Sequence, residues 1–147
     1  MAKKTKAPEL TLESLLESLK SNGLKLTPPR KIILGTLLKS HGPFSAEEIY
    51  KNFAKKTCDL ATVYRNLTHL ENAKMIRRCD FGDGVARYEL IHSDHDHHHH
   101  LICKGCKKVE ILDLCEMENL LNLYVKKYDF KNVTHILELF GTCPNCQ

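Results

Sequence analysis

Between His92 and Cys106 the chain reads His-Ser-Asp-His-Asp-His-His-His-His-Leu-Ile-Cys-Lys-Gly-Cys, which places six histidines, two aspartates and two cysteines in fifteen residues. Neither a packed core nor a solvated loop needs that density of metal-binding atoms, so the stretch is read as one metal site or several. Its second half, Cys103-x-x-Cys106, is answered downstream by Cys143-Pro-Asn-Cys146. Two thiolate pairs are enough to close a tetrahedral zinc shell. The 36 residues between Cys106 and Cys143 exceed the spacing of roughly 15–20 in a zinc ribbon. A helix and a strand are therefore expected between the two knuckles.

Other readings of the same residues are weaker. A histidine run can be a purification tag, but this one is internal and flows into Leu101-Ile102. The cysteine pairs could form disulfides or a thioredoxin-like redox centre. Against that, three further cysteines (Cys58, Cys79, Cys115) lie elsewhere, and no strand-helix-strand pattern surrounds either pair.

The longest apolar runs span only a few residues, and neither a transmembrane span nor a secretory signal is expected. Cytoplasmic placement, with no membrane partner, is the resulting expectation. Charge is uneven: residues 1–90 hold 16 Lys and Arg against 10 Asp and Glu, whereas residues 91–147 hold 6 against 8. The basic half is the one suited to a polyanion.

That half begins with a lysine-rich arm, after which helix signals recur. Thr11 caps a helix carrying Leu12, Leu15, Leu16 and Leu19 at helical spacing, and Asn22-Gly23 ends it. Thr27-Pro28 opens a second, with Ile32, Ile33, Leu37 and Leu38 as its stripe. Ser45 and Glu48 form a capping box for a third. Asp59 caps a fourth, in which Leu60, Val63, Leu67 and Leu70 fall on one face and Ala61, Thr62, Arg65 and His69 on the other, with Tyr64 on the flank. Two strand-like runs, 75–81 and 85–90, then flank Gly82-Asp83-Gly84. Helices followed by a hairpin predict a winged helix-turn-helix, whose last helix enters the DNA major groove. On that helix, small Ala61 and Thr62 beside the planar donor of Arg65 permit close approach to bases and bidentate contact with guanine.

Composition shifts at Ile91-His92, dividing the chain into residues 1–90, a winged-helix DNA-binding domain, and 91–147, a metal-binding domain. In the latter, strands are predicted over 97–103, 109–112 and 133–140, with a helix marked by Met117, Leu120, Leu121 and Val125. The fold class is α+β: a winged helix-turn-helix lobe followed by a small α/β lobe stapled by zinc. So short a lobe has a meagre core, so metal and a partner subunit are expected to stabilise it. Side chains alternate along a strand, so His97 and His99 point one way and His98 and His100 the other, and one run can feed two metal ions.

These residues resemble the ferric uptake regulator (Fur) family. The resemblance rests on Thr27-Pro-Pro-Arg30, Ser45-Ala-Glu-Glu-Ile-Tyr50, Ala61-Thr-Val-Tyr-Arg-Asn-Leu67, Tyr88-Glu89-Leu90, the histidine run leading into Cys103-x-x-Cys106, and the segment from His135 to Cys146. It covers the chain from about Leu10 to Cys146. It implies a metal-activated transcriptional repressor that works as a homodimer on palindromic, A·T-rich double-stranded DNA. The resemblance assigns structural Zn2+ to Cys103, Cys106, Cys143 and Cys146. It assigns a hinge sensing site to Glu89, His98 and His100, with Glu110 and His41 as further donors. A site within the dimerisation lobe falls to His97, His99, Glu118 and His135. Base reading maps onto Tyr64 and Arg65 with Thr62 beside them, and a minor-groove contact onto Lys25.

The chain departs from the family pattern at the hinge. Pro43 stands where a sensing histidine is usual, with His41 two residues earlier, and Ile111 stands where a carboxylate is expected, with Glu110 one place early. Glu110 serves only if its strand is bulged or shifted in register. His99 replaces the aspartate typical of iron-type members, and two extra residues bring His92, Asp94 and His95 forward as substitute ligands. Cys79, in the hairpin, is a further substitute. The regulatory ion is accordingly Fe2+, Zn2+ or Mn2+, with zinc-uptake and peroxide-sensing regulators as alternatives to an iron regulator. An enzyme is not expected, because the motifs of zinc hydrolases and deaminases are missing. Metal storage would need the histidines but not the winged helix.

Overall fold

The structure is a computed structural model that describes residues 10–39, 42–54, 57–91, 99–112, 117–133 and 135–147, the side chains of 117–120 excepted. The chain divides into two compact units, Met1–Asp96 and His97–Gln147.

In the first unit each helix starts where a side chain can cover orphan amide groups. Thr11 closes a capping box with Ser14 ahead of α1 (Leu12–Ser21). Helix α2 (Pro28–Lys39) opens on a proline, which lacks the amide proton that would go unpaired there. A two-residue strand, β1 (Phe44–Ser45), leads directly into α3 (Ala46–Tyr50), capped by Ser45 and Glu48. The Asp59 carboxylate accepts from the Thr62 amide at 2.7 Å and starts α4 (Leu60–Asn72). Strands β2 (Ile76–Asp80) and β3 (Ala86–Leu90) form the hairpin, and Gly82 and Gly84 turn it at φ +70 and +76, where a side chain would be strained.

Strand order is β1-β3-β2, antiparallel throughout. The first strand was not anticipated, since two residues carry no periodic signal. Leu19, Ile33, Leu34, Ile49, Val63, Leu67 and Leu70 are completely buried, and Ile76, Tyr88 and Leu90 close the core from the sheet. Leu34 joins Ile33 and Leu37 in the buried stripe of α2, while Ile32 and Leu38 are half-buried. Alternation along the strands puts Arg77, Cys79, Arg87 and Glu89 on the opposite sheet face.

The second unit is built on β4 (His99–Cys103), with β5 (Val109–Leu112) antiparallel on one side and β6 (Glu138–Gly141) parallel on the other. Helix α5 (Met117–Lys127) follows β5, and a single 3-10 turn, Pro144–Cys146, ends the chain. The strand expected over residues 133–140 is shorter, pairing only from Glu138, opposite His100, to Gly141, opposite Cys103. Val133 and residues 135–137 show the right alternation but lie outside the ladder, and alternation alone cannot supply a partner strand. Among the described residues of this unit, Ile102 and Cys103 are the buried apolar side chains, accompanied by buried His99 and His100. Leu123, Tyr124, Tyr128, Phe130 and Ile136 stand in solvent.

Candidate metal centre and nucleic-acid interface

The two Cys-x-x-Cys pairs meet. Cys103 ends β4, Cys106 follows one turn later, Cys143 caps the terminal 3-10 turn and Cys146 is its last residue. Their four sulfur atoms lie within 4.8 Å of one another, with Cys106 and Cys143 3.6 Å apart. Four thiolates at about 2.3 Å from a central zinc stand roughly 3.8 Å from each other, so the set is grouped as that ion needs, with shifts of no more than about 1 Å. The Cys143 amide donates to Cys103 Sγ at 3.3 Å. That bond, and next the Cys106 amide, bring the Cys103 thiol down to about 6. Hydrogen bonds to Cys143, Cys106 and Cys103 push Cys146 up to about 12, so binding a metal there must displace a proton. Gly105 makes the close approach possible: a Cβ there would lie 3.1 Å from Cys146 Sγ and 3.3 Å from its Cβ. Four thiolates leave no open coordination position, which makes this a structural rather than a catalytic zinc site.

His99 and His135 are brought together, Nε2 to Nε2 at 3.3 Å, with His99 fully buried. They are two of the four residues assigned to the dimerisation-lobe site. His97 and the Glu118 side chain lie outside the described residues. His100 is 1% exposed, and its Nδ1 lies 3.2 Å from both oxygens of Glu138, its neighbour across the parallel ladder. A carboxylate there accepts from Nδ1–H and so fixes the tautomer of the ring. Sequence reading missed Glu138, because its pairing with His100 depends on a register between residues 38 apart.

Glu89 is also buried. It pairs with Arg77 across the hairpin and accepts from Cys79 Sγ at 3.4 Å, so Cys79, itself buried, is a thiol directly beside the expected hinge carboxylate. Glu110 is placed differently from the expectation. The β4–β5 ladder is unbulged, His100 faces Ile111 and Leu101 faces Glu110, so Glu110 projects from the other side of the strand and pairs with Lys108 at 2.6 Å. His41, His92, Asp94, His95 and His98 lie outside the described residues.

On α4 the expected division of faces is present. Val63, Leu67 and Leu70 are completely buried, while Ala61, Tyr64, Arg65 and His69 are exposed and Thr62 is half-buried. Hydrogen bonds hold this outer face. The Tyr64 hydroxyl donates to Glu47 Oε1 at 2.7 Å, and an Arg65 guanidinium nitrogen lies 3.3 Å from the Thr62 hydroxyl. Arg30 donates to Asn66 Oδ1 at 3.0 Å and to the Lys25 carbonyl at 2.7 Å, fastening the loop that carries exposed Lys25 to α4. Neither Arg30 nor Glu47 was assigned a role from sequence; both stand inside recognised motifs, which was the available signal.

Comparison with known proteins agrees with this geometry. A model of the ferric uptake regulator family matches residues 21–140. The ferric uptake regulation protein of Campylobacter jejuni is 34% identical over 142 residues, covering 94% of this chain and 89% of its own length. The peroxide operon regulator of Bacillus subtilis is 32% identical, covering 92% of each chain. Among solved structures, the Helicobacter pylori ferric uptake regulator, described as having three functional metal-binding sites, superposes with a TM-score of 0.79 at 35% identity, over 94% of this chain and 95% of its own.

Proposed function

The chain belongs to the ferric uptake regulator family and is a metal-responsive transcriptional repressor rather than an enzyme. From that premise we propose that it binds a palindromic, A·T-rich operator as a homodimer when a regulatory ion, iron first among Fe2+, Mn2+ and Zn2+, joins the structural zinc. The observation that carries this reading is α4: its inner face is sealed in the core, and its outer face offers Tyr64 and Arg65 in held positions. A planar guanidinium at that place makes the bidentate contact to guanine that base reading uses. Arg30 holds the Lys25 loop against the same helix, which supports Lys25 as the contact to the adjoining groove.

We assign the structural zinc to Cys103, Cys106, Cys143 and Cys146, and the sensing site to Glu89, His98 and His100, with Cys79 rather than Glu110 as its described auxiliary donor. His97, His99, Glu118 and His135 form the additional site. A divalent ion supplies a fixed positive charge that holds carboxylate and imidazole donors at one point. Glu138 keeps His100 in one tautomer, and Arg77 pairs with the Glu89 carboxylate across the hairpin. The large apolar side chains that the second unit leaves in solvent, Leu123, Tyr124, Phe130 and Ile136, support a homodimer. Among the described residues no helix is long and apolar enough to cross a membrane, and we place the repressor in the cytoplasm, where its DNA is.

The test is anaerobic fluorescence anisotropy of zinc-loaded protein on a palindromic A·T-rich duplex, titrated separately with Fe(II), Mn(II) and Zn(II). One ion is expected to tighten binding at least tenfold, about 1.4 kcal/mol of coupling. Arg65→Ala is expected to abolish that binding with metal content intact. If no ion alters the affinity, the metal-switch reading is wrong.

A further inference from the structure

Two exposed side chains on different helices are joined by the bond between Tyr64 and Glu47. Tyr64 lies on the outer face of α4, 41% exposed, and Glu47 lies in the first turn of α3, the preceding helix of the helix-turn-helix. The phenol oxygen and the carboxylate are 2.7 Å apart, the length of a charge-assisted bond. The Tyr64 hydroxyl holds the Glu47 carboxyl below the usual carboxylate range, and Glu47 in turn raises the Tyr64 phenol. Tyr64 donates and Glu47 accepts, as a phenol beside a carboxylate does.

A surface tyrosine without such a tether samples several rotamers and loses that freedom on docking. One already tied at its far end does not. The tether also decides what the phenol can say to a base. Its single hydrogen is committed to Glu47, so the oxygen remains only as an acceptor. It can meet the amino groups of adenine or cytosine in the major groove, or leave the ring edge to a thymine methyl, but it cannot donate to the carbonyl oxygens of guanine or thymine.

We propose that Glu47 is a positioning residue for base reading, fixing the Tyr64 phenol on the outer face of α4 as an acceptor and so contributing to operator specificity without touching DNA. The proposal rests on the reading that α4 contacts bases through Tyr64. An acid beside a polyanion would otherwise only weaken binding, and that is the competing explanation to separate from it.

The experiment compares Glu47→Ala, Glu47→Gln and Tyr64→Phe, with the double variant Glu47→Ala/Tyr64→Phe, in full-length zinc-loaded protein saturated anaerobically with whichever of Fe(II), Mn(II) and Zn(II) tightens operator binding of the unsubstituted protein. Affinities are measured on a palindromic A·T-rich duplex and on a scrambled duplex of the same composition, over a series of salt concentrations. Zinc content and thermal midpoint serve as controls for folding. Glutamine keeps an oxygen that accepts the Tyr64 hydrogen but removes the charge, so Glu47→Gln should retain discrimination between the duplexes and merely steepen the salt dependence. Glu47→Ala should lose discrimination by roughly fivefold or more, within the range of a single base contact, and should add nothing in the Tyr64→Phe background. Unchanged discrimination in Glu47→Ala, equal losses in the alanine and glutamine variants, or additive losses in the double variant would each overturn the proposal. Tyr64→Ala separates this from the parent reading. If it leaves operator affinity intact, base contact by Tyr64 is itself wrong; if it weakens binding while Glu47→Ala does not, only the positioning role fails.

Discussion

Removing the structural zinc should unfold the second unit and leave the first standing. Among the described residues, the first unit has a core of fourteen buried residues spread over four helices and a sheet. The second, His97–Gln147, buries Ile102 and Cys103 as its apolar side chains among the described residues, while Leu123, Tyr128, Phe130 and Ile136 are 62–90% exposed. Burying one isoleucine contributes about 1.5–3 kcal/mol, and even a well-filled core of this chain length rarely supplies more than about 3–5 kcal/mol. A zinc ion held by four thiolates contributes an apparent ~10–16 kcal/mol near neutral pH. The metal term therefore exceeds everything the core of this unit can offer. Under reducing conditions, chelation of the zinc, or Cys146→Ser to remove one thiolate, should abolish a separate thermal transition in differential scanning calorimetry. The transition of the winged-helix unit should persist within a few degrees. Limited proteolysis followed by mass spectrometry identifies which unit is lost, and sedimentation should show monomer, because the exposed apolar residues then have no ordered unit to present them. The reasoning is refuted if metal analysis confirms zinc-free protein and the second unit still melts cooperatively at its original temperature.

Three further outcomes follow from particular contacts. Gly105→Ala sets a methyl group 3.1 Å from Cys146 Sγ; Cys146 must give by a few tenths of an ångström, and competition with a zinc chelator should show weaker zinc binding in an otherwise folded protein. Glu138→Ala removes the acceptor of His100 Nδ1 and should lower regulatory-metal affinity by about 10–100-fold, as loss of a ligand's orienting partner does, with stoichiometric zinc retained on the cysteines. Leu67→Ala empties a completely buried site between α4 and the other helices and should destabilise the first unit by about 2.7–5 kcal/mol in chemical denaturation.

What the amino-acid sequence determined by itself is what depends on neighbours along the chain. Thr11, Ser45 and Asp59 cap the helices they were expected to cap, because a cap is a contact over three residues. The two faces of α4 and the Gly82-Asp83-Gly84 turn follow from periodicity and from a backbone conformation that glycine favours. The paired cysteine motifs announced zinc by the chemistry of four soft donors at matched spacing, before any geometry was known. The tertiary structure alone decided whatever depends on register or on one element lying across another. The alternation in residues 133–140 promised a longer strand, but only Glu138–Gly141 finds a ladder on β4. Glu110 stood one residue from the expected position, and the unbulged pairing with β4 turned it to Lys108 and away from the face of His100. The bonds between His100 and Glu138, between Tyr64 and Glu47 and between Arg30 and Asn66 join residues 38, 17 and 36 positions apart. Composition and periodicity fall silent at such separations: both report which face of an element is apolar, whereas a hydrogen bond between two elements depends on how far each has slid along the other.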